Sequence, residues 1–465
     1  MGERVGAVVS VRSVGGQSAF DPKGPINAAC AGAFSSKQDD ARHVANTLIK
    51  LGFAITHFHP LAISFAGTPA QFKDSFGARL TKSTKPGGRG RITEAYSPHP
   101  DDMPRLLDLP QTFEGRAEGI AIACPPKLID DAGLPVRGVS DEQRLPRCLP
   151  DELAMSIWGD GLAPFDASGN GIVAAQIGTG VYRHRFFAQR RYRLLPTLLG
   201  PGQTDSVRDD HGHGTGEAAC LFAAAPNLRL RPVKGLLDPV GDMLMTMESL
   251  PKPDLIIASW GYEVDQLDWN RLKSENLNLH NYLRLLEIAI ASATAEGIVV
   301  TATAPRTWKS FPTSHVDVLA IGLAADDGPT GAGDIPVESG LYPGRYIPDF
   351  WSSADRSTKL LDDSRQQLFR QPAQPGSTLA MTGDMTAMPA DEGWASADLN
   401  QASFPLAASM IAVLVERHPG LPTSAIKTLM AQATEDLVSV SLAESGNRGR
   451  NDPLAIGLDK ALDVA

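Results

Sequence analysis

From about residue 149 onward, short apolar runs alternate with longer stretches of helical period, and this alternation restricts the fold more than any other feature. Strands are expected at Ile172–Ile177, Leu228–Val233, Leu255–Ser259, Ile298–Thr303 and Val318–Ile321. Helices are expected at Thr215–Ala224, Asn278–Glu296, Pro405–Arg417 and Thr423–Ala433. Strands that are apolar throughout, interspersed with helices, need cover on both faces. The expected result is a doubly wound α/β domain with a mostly parallel sheet. Residues 325–400, rich in Gly, Pro, Ser and Asp, are expected to be dominated by loops.

The first hundred residues follow another pattern. Val5–Val11 is a strand candidate, and Val44, Leu48 and Leu51 give Asp39–Leu51 a helical stripe that Gly52 ends. Phe53–Phe58 and Leu61–Phe65 are strands around Pro60. Thr68 caps a helix through Phe76, with Pro69 in its first turn, and a further strand lies near Arg91–Tyr96. Strand-helix-strand-strand-helix-strand is a ferredoxin-like α+β pattern. A proline-rich stretch follows, with one apolar strand at Gly119–Cys124. The division expected is therefore 1–96, a linker at 97–148, and a large domain at 149–465.

Composition excludes several partners. Hydrophobic content of 42% and charged content of 21% describe a soluble globular protein. Lys+Arg of 43 against Asp+Glu of 53 gives −10, spread along the chain without a basic block. Neither nucleic acid nor membrane is expected as a partner. The segment MGERVGAVVSVRSVGG has no signal-peptide core, and no apolar run approaches the roughly 20 residues that span a bilayer. Cys30, Cys124, Cys148 and Cys220 lack metal spacing and fit reduced thiols, although Cys124 and Cys148 are able to pair. The cytoplasm is the expected compartment.

The stretch DDHGHGTGEAACLFAAAPNLRLRPVKGL, from Asp209 to Leu236, carries chemistry. It resembles the turn, helix and strand by which subtilisin-like serine peptidases (subtilases, with the sedolisins) present their general-base histidine. Gly212-His213-Gly214-Thr215 is the matching motif. GFAITHFHPLAISFAGTPAQFKDSFGARL resembles the activation propeptide of sedolisins and related subtilases. The resemblance implies a propeptide-like first domain and a subtilisin-like second one.

Acyl transfer of this kind uses Asp, His, Asn and Ser, in that chain order. GNGIVAAQIGTGV resembles the strand that ends in the aspartate, but Gly178 stands at that position. EGIVVTATAPRT resembles the oxyanion strand, with Arg306 in place of the asparagine. ASFPLAASMIAVLVERHPGLPTSAIKTLMAQAT resembles the serine helix and its successor, and without a gap Gln401 takes the nucleophile's place. A two-residue gap would bring Ser403 there instead, at the cost of rotating the helix by roughly 200°; otherwise Ser403 is an N-terminal cap. Glu217, one turn beyond His213, is either a partner for it or a carboxylate favoured by the helix dipole. DLIIASWGYE resembles the edge that pairs with substrate, which assigns peptide binding to Ser259, Trp260 and Gly261. Neither Asp209-Asp210-His211-Gly212-His213 nor His57 with His59 has an identifiable distant ligand, so no metal and no cofactor is expected.

The resemblance implies a pseudoprotease that keeps a peptide-binding cleft, with its own propeptide-like domain attached and a peptide or protein as ligand. The alternative is an active serine endopeptidase with a rebuilt His213/Ser403 centre.

Overall fold

The computed structural model describes residues 4–86, 92–99, 109–129, 168–264, 267–305, 309–323, 336–352, 368–375, 377 and 394–430. β1 (Val5–Val11) sends Val5, Ala7, Val9 and Val11 into one core and Val8 into another, the period-two consequence of strand geometry. α1 (Gln38–Lys50) buries Val44 and Leu48. β2 (Ala54–Phe58) and β3 (Ala62–Gly67) return across the sheet. α2 (Pro69–Phe76) opens with a capping box: Thr68 accepts from the Gln71 amide, and the Gln71 side chain accepts from the Thr68 amide. β4 (Leu80–Pro86) and β5 (Ile92–Pro98) form a hairpin, and β6 (Ala117–Ile122) closes the unit.

The sheet order is β2-β3-β1-β6, antiparallel throughout, which is the ferredoxin-like arrangement. The fourth strand is β6, inside the stretch read as linker, and not the run near Arg91–Tyr96. The earlier run is taken up by its hairpin with β4, whereas β6 supplies Ala117, Ile120 and Ile122 to the core. Phe53, Phe65, Phe72 and Phe76 fill that core with ring centroids 5.1–6.2 Å apart.

The second unit follows β7 (Lys127–Leu128). Its elements are β8 (Val173–Gly178), α3 (Arg185–Gln189), β9 (Arg193–Leu194), β10 (Leu198–Leu199), α4 (His213–Ala224), β11 (Arg229–Lys234) and α5 (Pro239–Met247). β12 (Leu255–Ala258), β13 (Trp260–Glu263), α6 (Trp269–Glu275), α7 (Leu277–Ala295), β14 (Val299–Ala304), β15 (Ser310–Phe311) and β16 (Val318–Leu323) come next. After the hairpin of β17 (Val337–Glu338) and β18 (Tyr346–Ile347) come β19 (Phe350–Ser352), the hairpin of β20 (Leu368–Pro372) and β21 (Trp394–Asp398), and α8 (Leu399–Arg417). The main sheet runs β10-β11-β8-β12-β14-β16-β19, with β9 also on β11, and these pairings are all parallel.

Both faces are covered, as the apolar strands require. In β12, Leu255 and Ile257 join the core under α4 and α8, while Ile256 and Ala258 join the core under α5 and α7. Two expectations are corrected. β19 extends the sheet from within the stretch read as loop, because Phe350 inserts beneath α8. α8 begins at Leu399, well before Pro405, so Ser403 lies inside the helix and does not cap it. Pro405 is tolerated there although it leaves the Gln401 carbonyl without its helical donor. Residues 423–430 are helical. The rest of that helix and much of 325–400 lie outside the described residues. Among the described residues no helix is long and apolar enough to cross a membrane.

The first unit packs on α5 and α7. The Ser64 hydroxyl and the Tyr282 hydroxyl both donate to the buried Asp238 carboxylate, and the Ile26 amide donates to Glu287 at 3.1 Å. Asn278 takes the Ile122 amide at 2.8 Å and returns a bond to its carbonyl at 3.1 Å. Burial pushes the Asp238 carboxyl above the usual carboxylate range.

Candidate functional site

In a doubly wound sheet a crevice opens beyond the carboxyl ends of the strands, where successive connections leave in opposite directions. Here β11 flanks β8 on one side and β12 flanks it on the other, so the crevice lies beyond Gly178 and Ala258. The start of α4 completes it with His213.

The turn into α4 is built from the motif itself. Gly212 has φ 92°, a left-handed conformation that favours glycine. A Cβ on Gly214 would collide with the Gly180 carbonyl. The fully buried Asp209 carboxylate accepts from the Gly212 amide at 2.8 Å, the Thr215 amide at 2.9 Å and the Thr215 hydroxyl at 2.6 Å. It satisfies the first free amides of the helix, as a cap does. Thr215 Oγ1 in turn accepts from the Tyr182 amide at 2.9 Å. Asp209 is therefore committed to the helix entrance and does not orient His213.

His213 is buried, with Nδ1 3.5 Å from Glu217 Oε2, which is longer than a good hydrogen bond. Glu217 is held from the sheet: Gln176 Nε2 donates to its Oε2 at 2.8 Å and to the Gly214 carbonyl at 3.0 Å. Gln176 escaped the sequence reading, although a polar residue inside VAAQIG was a usable signal. Gly178 ends β8 two residues later, and a Cβ built there meets nothing within 4 Å. The strand end has room for a side chain and carries none.

Ser259, Trp260 and Gly261 lie together on one edge. The Trp260 side chain points into the core, where Nε1 donates to the Ile177 carbonyl at 3.0 Å, so this residue offers its backbone to the edge. That edge is engaged by the chain itself. β7 pairs antiparallel with β13, matching Leu128 to Trp260 and Lys127 to Gly261, and the Ile129 amide donates to the Ser259 carbonyl at 2.9 Å. Lys127 also pairs with Glu263. On the other side, β15 holds β13 through Phe311 and Ser310. The sequence reading found the edge and missed β7, which is only two residues long and flanked by proline.

Ser403 is buried on α8, which packs against α4, and its carbonyl accepts from the Ser352 hydroxyl at 2.9 Å. Among the described residues no hydrogen bond joins Ser403 to His213. Gln401 lies in the first turn of α8. Arg306 lies outside the described residues. No group of three or more His, Cys, Asp or Glu suited to a metal ion occurs among the described residues.

No family model matches the chain, and neither does any curated protein. Solved structures do. Over 99% of its length the chain is similar to a serine-to-alanine mutant of the epidermin leader peptide processing serine protease from Staphylococcus aureus. The identity is 12%, 99% of that chain is covered and the TM-score is 0.54. The same protease without the mutation gives 13% identity, 99% and 98% coverage and a TM-score of 0.49. Fervidolysin from Fervidobacterium pennivorans, a keratinolytic enzyme related to subtilisin, gives 12% identity over 99% of this chain with a TM-score of 0.49. The chain spans 61% of fervidolysin's length. The chain has a subtilisin-like fold; at these identities the likeness extends to the fold alone.

Proposed function

We propose that this chain is a subtilisin-fold pseudoprotease, which binds peptide along the β13 edge without cleaving it and keeps its first unit attached. The observation that carries this reading is the pairing of residues 127–129 with Ser259, Trp260 and Gly261. The peptide-pairing edge is intact and occupied by the chain's own backbone, in the mode of strand addition. The bare strand end at Gly178 and the burial of Ser403 support the same reading, since a nucleophile must be reachable and its base must be oriented. The first unit acts as a propeptide-like cover whose release would require the missing chemistry.

A second reading, an active serine endopeptidase using His213 and Ser403, is favoured by one observation. Glu217, fixed by Gln176, lies 3.5 Å from His213 Nδ1, the side of the ring from which a carboxylate orients a catalytic histidine.

Purification of the full chain separates the two. The pseudoprotease stays at 465 residues and takes no fluorophosphonate label. The active enzyme sheds its first unit and labels at Ser403, and Ser403→Ala abolishes both events. For the binding claim, Ile129→Pro removes the amide that donates to the Ser259 carbonyl and frees the edge. A labelled peptide with the sequence of residues 123–130 should then bind this variant and not the parent chain. Absence of binding to Ile129→Pro would remove the peptide-binding part of the proposal.

A further inference from the structure

The connection from β1 to α1, residues 12–37, is far longer than the roughly two to six residues that join a strand to a helix in compact folds. Its ends are closed, with Ser13 bridged to Ser36 and the Val14 amide donating to the Ser35 carbonyl at 2.9 Å. Glu118 of β6 ties its first turn to the first unit by accepting from the Ser18 hydroxyl and, at 2.9 Å, from the Ala19 amide. From Asp21, which meets Lys273 at 3.2 Å, the chain runs over the second unit. Pro22 and Pro25 stiffen it. Ile26, with no exposed surface, then enters the core beneath α5 and α7, together with Phe20, Ala31 and Phe34.

The amides of this segment go to carboxylates of the second unit. The fully buried Glu287 accepts from the Ile26 amide at 3.1 Å, the Tyr342 hydroxyl at 2.7 Å and Arg284 at 2.7 Å. Asp317, just before β16, accepts from the Ala28 amide at 2.6 Å. Lifting the segment would expose Ile26 and leave both carboxylates short of a donor, a cost that grows with burial. β7 is held more lightly. It has two paired residues and the Ile129 amide bond, and its Lys127–Glu263 pair is exposed, where such pairs add little. Of Lys127, Leu128 and Ile129 only the last is buried. Upstream, Cys124 is fixed by the Tyr262 hydroxyl on its carbonyl and by Asn278 on its sulfur. The weakly held stretch therefore begins after Cys124.

On the reading of the β13 edge as a peptide site, we propose that residues 18–34 are a strap that pins the first unit to α7, so that the edge opens by departure of β7 alone while the first unit stays in place. A ligand peptide then competes with residues 127–129 only, and the cover is a permanent part of the molecule. Cutting the chain between the units does not separate them.

Hydrogen exchange of the full chain, read residue by residue, checks the difference in hold. After correction for intrinsic rates, the Ile26 and Ala28 amides should exchange at least about tenfold more slowly than the Ile129 amide. Equal rates overturn the proposal. A protease site inserted between Ile129 and Ser168, once cut, checks the anchoring. The two fragments of the parent should co-elute on size exclusion, with or without excess peptide of residues 123–130; separation in either case overturns the strap. Ile26→Asp should let the cut fragments part. Ile26→Ala, which keeps an apolar side chain, should speed their dissociation about tenfold or more, and an unchanged rate overturns the proposal. Lys127→Ala should quicken exchange at Ile129 and leave the fragments together. Failure of the 123–130 peptide to bind Ile129→Pro refutes the peptide site itself, and the cut fragments, whose association needs no peptide, still report on the strap.

Discussion

His57 and His59, set aside in the sequence as a metal pair without a distant ligand, lie where the two units meet. They flank Glu248, the residue that follows α5, with His57 Nε2 at 3.6 Å and His59 Nε2 at 3.7 Å from its carboxylate oxygens. His59 Nδ1 already accepts from the Leu61 amide, and His57 Nε2 has no hydrogen-bond partner. Burial, with a smaller contribution from His59, lowers the pKa of His57 from 6.5 to about 4. Glu296, which holds Lys252 at 2.6 Å, raises the His59 pKa only partly against burial. His57 therefore takes up a proton more readily in the unfolded chain than in the folded one. Its share of stability is complete above about pH 6.5 and is lost as pH falls toward about 4. The 2.5 units between 6.5 and about 4 correspond to about 3 kcal/mol, most of it gone by about pH 4.5. Urea unfolding of the parent chain and of His57→Asn, at several pH values between about 7.5 and 4.5, measures this term as the change in their difference. His280 and His315, lowered by burial to about 4 and about 3, and Glu248, raised by burial, are common to both proteins and cancel. The two proteins should converge in stability on acidification by about 2–3 kcal/mol. A difference that stays constant with pH would refute this account of the junction.

Three further outcomes test the site. Gly178→Asp should leave the melting temperature within about two degrees, since a Cβ there meets no neighbour and the backbone is not left-handed; a large drop would mean the strand end is closed. Asp209→Ala should cost about 2–3 kcal/mol in urea unfolding, because a charged cap and three buried hydrogen bonds go together, and Asp209→Asn should cost less. Gly214→Ala should be net destabilising, the clash of its Cβ with the Gly180 carbonyl outweighing the roughly 1 kcal/mol by which a helix favours alanine over glycine; an unchanged or higher melting temperature would contradict the tight turn.

Much of the fold was legible because periodicity reports burial. β8, β11, β12, β14 and β16 lie within a residue or two of the apolar runs, and α4 and α7 within two residues of the helical ones. What was hidden depended on partners distant in sequence. β6 was read as an apolar strand at Gly119–Cys124, but its place in the first sheet comes only from its pairing with β1. β7 is too short to carry a pattern, and its meaning comes from Trp260 and Gly261 across the crevice. The start of α8 was read at Pro405, since proline ordinarily marks a first turn, yet the helix continues back to Leu399. At the site, His213, Glu217 and the β13 edge were named from sequence. Gln176 was not, because its role depends on a helix that crosses its strand.

The motif that identified the region is mostly a device for turning the chain. Gly212 supplies a left-handed residue, Gly214 lets the backbone approach Gly180, and Thr215 joins the Asp209 cap to the Tyr182 amide. None of these duties involves a substrate. They would be required of any chain that packs α4 against β8 in this way, whether or not it cleaves peptides. Gly178 is the opposite case: it sits in open space, and no neighbour dictates its side chain. Steric need thus accounts for every residue of Gly212-His213-Gly214-Thr215 except His213, and His213 is the one whose surroundings, Glu217 and Gln176, belong to a polar cluster inside an apolar core. Burying such a cluster costs stability unless its members satisfy one another, and Nδ1 of His213 and Oε1 of Gln176 are left without hydrogen-bond partners. That residual cost is the physical reason to look for a ligand or a reaction at His213, and a Glu217→Gln variant that proves more stable than the parent would show the cost directly.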